Sequence, residues 1–155
     1  VMLDLGMLNR RGRIQKAYYG DEKNRIYAVT DQISLTQEDI REVQMAKGAI
    51  AAGIELMMEE LEITYEQVDR VILCGAFGTY MNAKSAARIG LIPEPLLSKV
   101  IAGGNAAGMG CRQITMDQKL FALTGELVQK IEPLDLASLP QFQRTFAKHM
   151  AFSEV

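Results

Sequence analysis

The chain has 155 residues, 48% hydrophobic and 23% charged, with a net charge of −2; this length suits one domain, because folding at this size buries roughly 70% of the unfolded chain's surface. So even a charge balance excludes a broad attraction to nucleic acid or anionic lipid. Apolar windows are broken by Lys47, Glu55 or Arg70 well before the ~20 residues that a membrane span needs, and no signal-peptide pattern opens the chain, so it reads as cytoplasmic with no membrane partner.

Residues 1–8, VMLDLGML, start in an apolar pattern with no capping residue before them and no methionine at position 1. They read as the last turns of a helix in a piece of a longer protein. Residues 9–12 and 20–24 supply polar turns. The short segments 13–17 and 25–30 are expected to pair as strands, the second carrying the β-branched and aromatic enrichment of one.

Thr36 is a good N-cap, with Asp39 three residues on in the manner of a capping box. From there Ile40, Val43, Ile50, Ile54, Met57 and Leu61 recur at helical spacing, and Lys47 fills the missing beat. Two readings of Lys47 stand open. Its stem could cover the core while the ammonium group snorkels to water, or it could reach a ligand at the rim of a cleft, with Gln44 one turn earlier facing nearly the same way. Gly48, Ala49, Ala51, Ala52 and Gly53 lighten the middle of this helix and permit close approach of another backbone.

Residues 68–74 form a strand so uniformly apolar at VILC that it is expected to be central and covered on both faces. Asn82 can cap a short helix over 83–89, which Gly90 and Pro93 end. A second strand at 99–102 runs into GGNAAGMG, residues 103–110. A helical pattern continues with a break near Thr115, through Leu120, Leu123, Leu127 and Ile131. An edge strand at 133–136 and a last helix capped by Ser138 close the chain. Strands alternating with helices at this spacing make an α/β layer, a single domain over 1–155.

Both glycine clusters, GAFG at 75–78 and GGNAAGMG, fall at the carboxyl ends of strands, where α/β sheets bind ligands. Glycine there either serves a tight turn and close packing or lets a flat or charged ligand lie against the backbone. The glycine spacing fits neither GxGxxG nor GxxxxGK[ST], and there is no GxSxG. Cys74 and Cys111 sit far apart without CxxC or a nearby His, and read as small core residues rather than a zinc site or disulfide. His149, the lone histidine, reads as an exposed or half-packed helix residue. The carboxylate pairs Glu59-Glu60 and Asp21-Glu22 read as solvated surface. No catalytic or metal constellation emerges.

Three segments together carry a family likeness. ISLTQEDIREVQMAKGAIAAGIELM, VDRVILCGAFGTYMNAKSAARIGLIP and VIAGGNAAGMGC closely resemble the C-terminal domain of the ATP-dependent reductive activators of corrinoid proteins. The resemblance runs over the whole chain. It implies an actin-like, ribonuclease-H-like subdomain with a mixed sheet and helices packed on it, most of the second subdomain of a larger ATPase domain. It also implies a protein with a ferredoxin-like iron-sulfur domain upstream, which restores a corrinoid protein partner from Co(II) to Co(I) for methyl transfer, coupled to ATP with Mg2+.

By position, VILCGAFG matches the adenosine motif of that fold, with Gly75 and Ala76 in place of the usual glycine pair and Phe77 and Gly78 continuing the turn. Gln44 and Lys47 then fall on the helix that faces adenine and ribose, and Gly104 and Asn105 join the cofactor-binding set. Ala76 departs from the motif and narrows the room for a base. Neither an Asp-Gly phosphate loop nor a cluster-binding cysteine set is present, so the chain alone is expected to be inactive, and the likeness leaves room for a homodimer. The competing reading is a partner-docking module that has lost ATP, with the small-residue band 48–53 and residues 1–8 as its interface. An actin-like sugar or acyl kinase lacks a nameable base.

Overall fold

The computed structural model describes residues 1–18 and 26–152; the turn expected at 20–24, with Asp21 and Glu22, lies outside them. Residues 1–8 do not continue a helix. Leu5 and Met7 donate backbone hydrogen bonds to Val1 and Met2, 2.9 Å each, and Gly6 then turns left-handed at φ +67°. The chain doubles back in a tight hairpin that pairs Leu8 with Ile14. Lys16–Tyr18 is a single 3-10 turn. The strand predicted to pair with 13–17 pairs forward instead: β1 (Tyr27–Ala28) runs antiparallel to β2 (Ser34–Leu35). Thr30 accounts for the preference, because its hydroxyl accepts from the Ile33 amide at 3.0 Å and closes a local turn.

Helix α1 (Gln37–Glu60) begins at the predicted capping box, with the Asp39 amide donating to the Thr36 hydroxyl at 3.1 Å and the Thr36 amide to the Asp39 carboxylate at 2.8 Å. Its buried face differs from the apolar stripe in the sequence. Val43, Met57 and Leu61 are exposed, whereas Gln44, Lys47, Gly48, Ala51, Ala52 and Gly53 are buried. The reason is α6 (Phe142–Met150), which packs along the small residues. A β-carbon on Gly48 would lie 3.4 Å from Met150 and Phe146, and one on Gly53 would lie 3.3 Å from Leu136. The band proposed as a docking interface is therefore filled from within the chain.

Two polar side chains finish this contact. Gln44 Nε2 donates to the Met150 carbonyl at 2.9 Å, and its amide presses on Gly12, where a β-carbon would overlap it. Lys47 is 2% exposed; its Nζ donates to the Ala151 carbonyl at 2.5 Å and lies 5.3 Å from the centroid of the Phe152 ring. Lys47 thus neither snorkels to water nor reaches a cleft rim. Further along α1, Glu55 takes Lys148 at 2.7 and 2.9 Å and His149 at 2.6 Å. The Phe152 amide donates to the Arg10 carbonyl at 2.9 Å, and its ring joins Leu3, Leu8, Ile14 and Ile40 in one core. Of residues 1–8, Leu3 and Leu8 belong to that core with Met2 packed against it, while Val1 and Leu5 face outward.

The second core lies under β3 (Val71–Cys74) and β4 (Val100–Gly104), which pair in parallel. Ala86 of α3 (Ala83–Arg88), with Leu91, Ile92 and Leu96, packs against Ile50, Ile54, Val71, Leu73 and Val100. Asn82 caps α3 as predicted, accepting from the Ser85 amide at 2.9 Å. Lys99 Nζ donates to the carbonyls of Tyr65, Glu66 and Val68 at 2.7, 3.0 and 2.6 Å, tying the approach to β3 to the start of β4. Among the described residues β3 is covered on one face, not two, because its side chains alternate and Ile72 and Ile101 face outward, exposed.

The pairing slips between Leu73 and Cys74, leaving Gly103 as the extra residue of a bulge. A β-carbon on Gly103 would lie 2.8 Å from Cys74 Sγ. Helix α2 (Gly75–Tyr80) follows β3 without a gap and lies across both strand ends. Its Gly78 sits so close that a β-carbon would overlap the Leu73 carbonyl oxygen and come within 3.1 Å of the Gly104 nitrogen. Helices α4 (Ala106–Met116) and α5 (Gln118–Val128) divide at Asp117, whose carboxylate accepts from the Lys119 amide at 2.8 Å, two residues past the predicted break. No strand forms at 133–136: Leu136–Ser138 is a 3-10 turn, and α6 starts beyond Ser138. Among the described residues no helix is long and apolar enough to cross a membrane.

Two predictions follow from this packing. Gly78→Ala forces a methyl group into backbone and should destabilise the chain by ~3 kcal/mol or more, whereas Gly110→Ala, inside α4 with nothing within 4 Å of the new carbon, should stabilise it by about 0.4–1 kcal/mol; urea unfolding measures both. Burial pulls the Lys47 ammonium down from 10.5 to about 8. Between those values the unfolded chain holds the extra proton, so stability should rise as pH climbs from about 8 toward 10.5. Lys47→Met should lose that part of the rise in unfolding midpoints measured at pH 8 and pH 10.

Candidate functional site

Parallel pairing puts the carboxyl ends of β3 and β4 at one edge, and each strand ends on a left-handed glycine, Gly75 at φ +68° and Gly104 at φ +56°. Left-handed backbone of this kind favours glycine at both places. A β-carbon at either would meet nothing within 4 Å, so open space lies in front of both turns. Gly78 has the opposite surroundings, clamped between Leu73 and Gly104. The two glycines of GAFG therefore differ in kind: the first shapes an open turn, and the second locks that turn to its neighbour.

Thr79, which the sequence reading passed over, fixes the geometry further. Its hydroxyl donates to the Gly75 carbonyl at 3.0 Å, one helical turn back. A threonine four residues after a strand-ending glycine was the available signal. Across the edge, Asn105 caps α4 by accepting from the Gly108 amide at 2.9 Å, and Gly108 leaves no room for a larger residue against the Asn105 amide. Ala76 is exposed, and so is Phe77, which offers a flat apolar ring on the same short helix. Backbone turns, open space and an aromatic face suit the binding of a flat ligand by stacking and backbone contact.

The structure thus brings Gly75, Ala76, Phe77 and Gly78 together with Gly104 and Asn105. Gln44 and Lys47 are placed elsewhere, with their donors committed to Met150 and Ala151. Their hydrogen bonds tie the last turn of α6 and the residue after it to α1. A charged cleft of about 460 Å³ does open beside Gln44, lined by Arg11, Glu38, Arg41 and Glu42.

His149 lies on α6 and the Glu59-Glu60 pair on α1, on other elements than the glycine turns. His149 is half-buried and tied to Glu55. Burial would raise the Glu55 carboxyl, but hydrogen bonds from Lys148 and His149 hold it below the ordinary carboxylate range. Glu59 and Glu60 are exposed, as expected. Cys74 and Cys111, expected in the core, are both exposed free thiols; they lie beside the strand-end edge and on α4, outside the two packed clusters. Among the described residues no three His, Cys, Asp or Glu side chains gather to hold a metal ion.

Known proteins share this architecture. Residues 1–155 match the family described as the C-terminal domain of RACo, the ASKHA domain. The corrinoid activation enzyme RamQ of Eubacterium limosum is 30% identical over 122 residues, 79% of this chain and 21% of the relative. The [Co(II) methylated amine-specific corrinoid protein] reductase of Methanosarcina barkeri is 29% identical over 99 residues, 64% of this chain and 18% of the relative. A solved structure of a reductive activator for a corrinoid, iron-sulfur protein superposes with a TM-score of 0.86 at 28% identity, covering 97% of this chain and 26% of that one. The chain thus spans about a fifth of the curated relatives and about a quarter of the solved activator. The shared α/β, actin-like fold and the match over the full 155 residues identify the chain as a member of the family of C-terminal ASKHA domains of corrinoid reductive activators.

Proposed function

We propose that this chain supplies the adenosine side of a nucleotide cleft in a protein that reductively reactivates a corrinoid protein. The observation that carries the proposal is the pair of left-handed glycines, Gly75 and Gly104, facing open space at one sheet edge with the Phe77 ring nearby. The fit is good for an adenosine group: a base can lie against backbone where no side chain intrudes. Ala76 narrows the approach by one methyl group. Gly78 and Thr79 position the turn, and Gln44 and Lys47 support the helix behind the fold by anchoring α6.

The substrate in this reading is the cobalt of a corrinoid protein, which gains one electron in passing from Co(II) to Co(I). The electron comes from an iron-sulfur cluster, and ATP hydrolysis with Mg2+ drives the uphill transfer. This reading assigns the phosphate loops, the Mg2+ ligands and the cluster cysteines to residues outside the described ones. The chain's own contribution is to bind and orient the nucleoside and to pass on the cleft's closure. The relatives' names support corrinoid reactivation, and family membership supports nucleotide use. The reading takes the chain as a single domain that works in the cytoplasm as part of a larger ATPase. The competing docking module keeps only part of its surface, since α6 covers the small-residue band and Leu3 and Leu8 are buried, while Val1 and Leu5 remain exposed.

Isothermal titration of Mg-ATP into the full-length protein tests the reading. The wild type should bind, and Gly75→Val and Gly104→Val should each weaken binding about tenfold or more while the unfolding midpoint shows that the fold survives. Absence of binding by the wild type would sink the proposal.

A further inference from the structure

The approach to β3 is a single 3-10 turn, Tyr65–Gln67, closed by the Gln67 amide on the Thr64 carbonyl at 3.1 Å and by the Gln67 side chain, which accepts from the Thr64 amide at 2.7 Å. The last carbonyls of a helical turn point onward along its axis, where a cation is favourable. Tyr65 and Glu66 present theirs in this way, and Val68, already extended, turns a third toward the same point. All three accept from one atom, Lys99 Nζ, at 2.7, 3.0 and 2.6 Å. An ammonium group has three N–H donors, so these carbonyls use it completely.

Packing fixes both walls of this cage independently of the lysine head. Tyr65 and Val68 rest on the core of Ala86, Leu91, Ile92 and Leu96, and so does Val100, the neighbour of Lys99. Three carbonyl dipoles aimed at one point are the means by which proteins coordinate bare monovalent cations, the oxygens replacing the ion's water. Distance decides which cation suits them. Oxygens 2.6–3.0 Å from the centre are too far for Mg2+, which demands about 2.0–2.1 Å, and are matched to an ammonium group or to K+, an ion of nearly the same size.

We propose that the carbonyls of Tyr65, Glu66 and Val68 form a monovalent-cation site, sized for K+ or ammonium, which the chain fills with its own Lys99. A tethered cation does not exchange with solvent, so the start of β3 stays held to the start of β4 whatever the balance of salts outside. Val71 pairs with Val100 directly after this latch. The tether therefore sets the register of the ladder that ends at Gly75 and Gly104. The proposal does not depend on the nucleotide reading.

Removing the tether tests the site. In the full-length protein, Lys99→Ala leaves three carbonyls facing one vacant position, and hydrogen exchange of peptides 65–74 and 99–104, read by mass spectrometry in NaCl, should quicken about tenfold or more. KCl or NH4Cl at the same ionic strength should return most of that protection, and tetramethylammonium chloride, too large for the cage, should not. Lys99→Met, whose apolar end occupies the same place, should quicken exchange with no recovery in KCl. The wild type should exchange alike in all four salts. Equal exchange of Lys99→Ala in KCl and NaCl, whether or not the variant folds, would overturn the proposal. Equal recovery in Lys99→Met, the mark of a general salt effect, would do the same, as would a potassium response in the wild type, the mark of a site that Lys99 does not fill.

Discussion

A buried ammonium group on one carbonyl oxygen holds the far end of α6 to the long helix α1. Lys47 sits among Gly48, Ala51 and Ala52, where an apolar side chain would suit the surroundings, yet only a long donor can reach the Ala151 carbonyl. The lysine stem packs as a hydrocarbon and the ammonium meets both that oxygen and the Phe152 ring. Gln44 repeats the device one turn earlier, accommodated by Gly12 on one side and bonded to Met150 on the other. With α6 thus seated, Phe152 can close the core over Leu3, Leu8, Ile14 and Ile40. Desolvation lowers the ammonium's affinity for its proton, but an uncapped carbonyl in the same place would also be costly.

The strand-end edge rests on a different economy, one of missing side chains. Gly78 lets a helix touch the strand beneath it, Gly103 lets the ladder bulge, and Gly75 and Gly104 turn left-handed into empty space. These four positions carry no side chain, so their geometry is held by backbone contacts and by the Thr79 hydroxyl. A surface made this way stays open while backbone contacts fix its turns.

What could be read in the sequence was chiefly local. Thr36 with Asp39, Asn82 before α3 and the glycine runs after VILC and VIAG carry their conformations in neighbouring residues, and the structure keeps them. The long-range choices were hidden. Periodicity pointed to Val43, Met57 and Leu61 as core, because it counts apolar side chains and cannot see that α6 prefers the side where α1 is narrow. The VILC run looks like a strand buried twice, yet among the described residues only one face has a cover. Lys47 stands out on the apolar stripe, but its partner lies 104 residues away, beyond the reach of any local rule. Gly75 and Gly78 could not be told apart either: a three-residue spacing says nothing about which glycine faces space and which faces a carbonyl.

The separation between Lys47 and its partner also bears on how the chain is made. Helix α1 leaves the ribosome long before α6, so for most of synthesis the groove that awaits α6 stands open to water. Its floor is Gln44, Lys47 and Glu55 set among glycines and alanines, rather than a row of leucines. Hydrated polar groups and small residues offer little grip to other nascent chains or to the chain's own unfinished parts. A binding groove that stays wet until its proper helix arrives gains its apolar character only on closure, when Phe152 is drawn in behind the last turn.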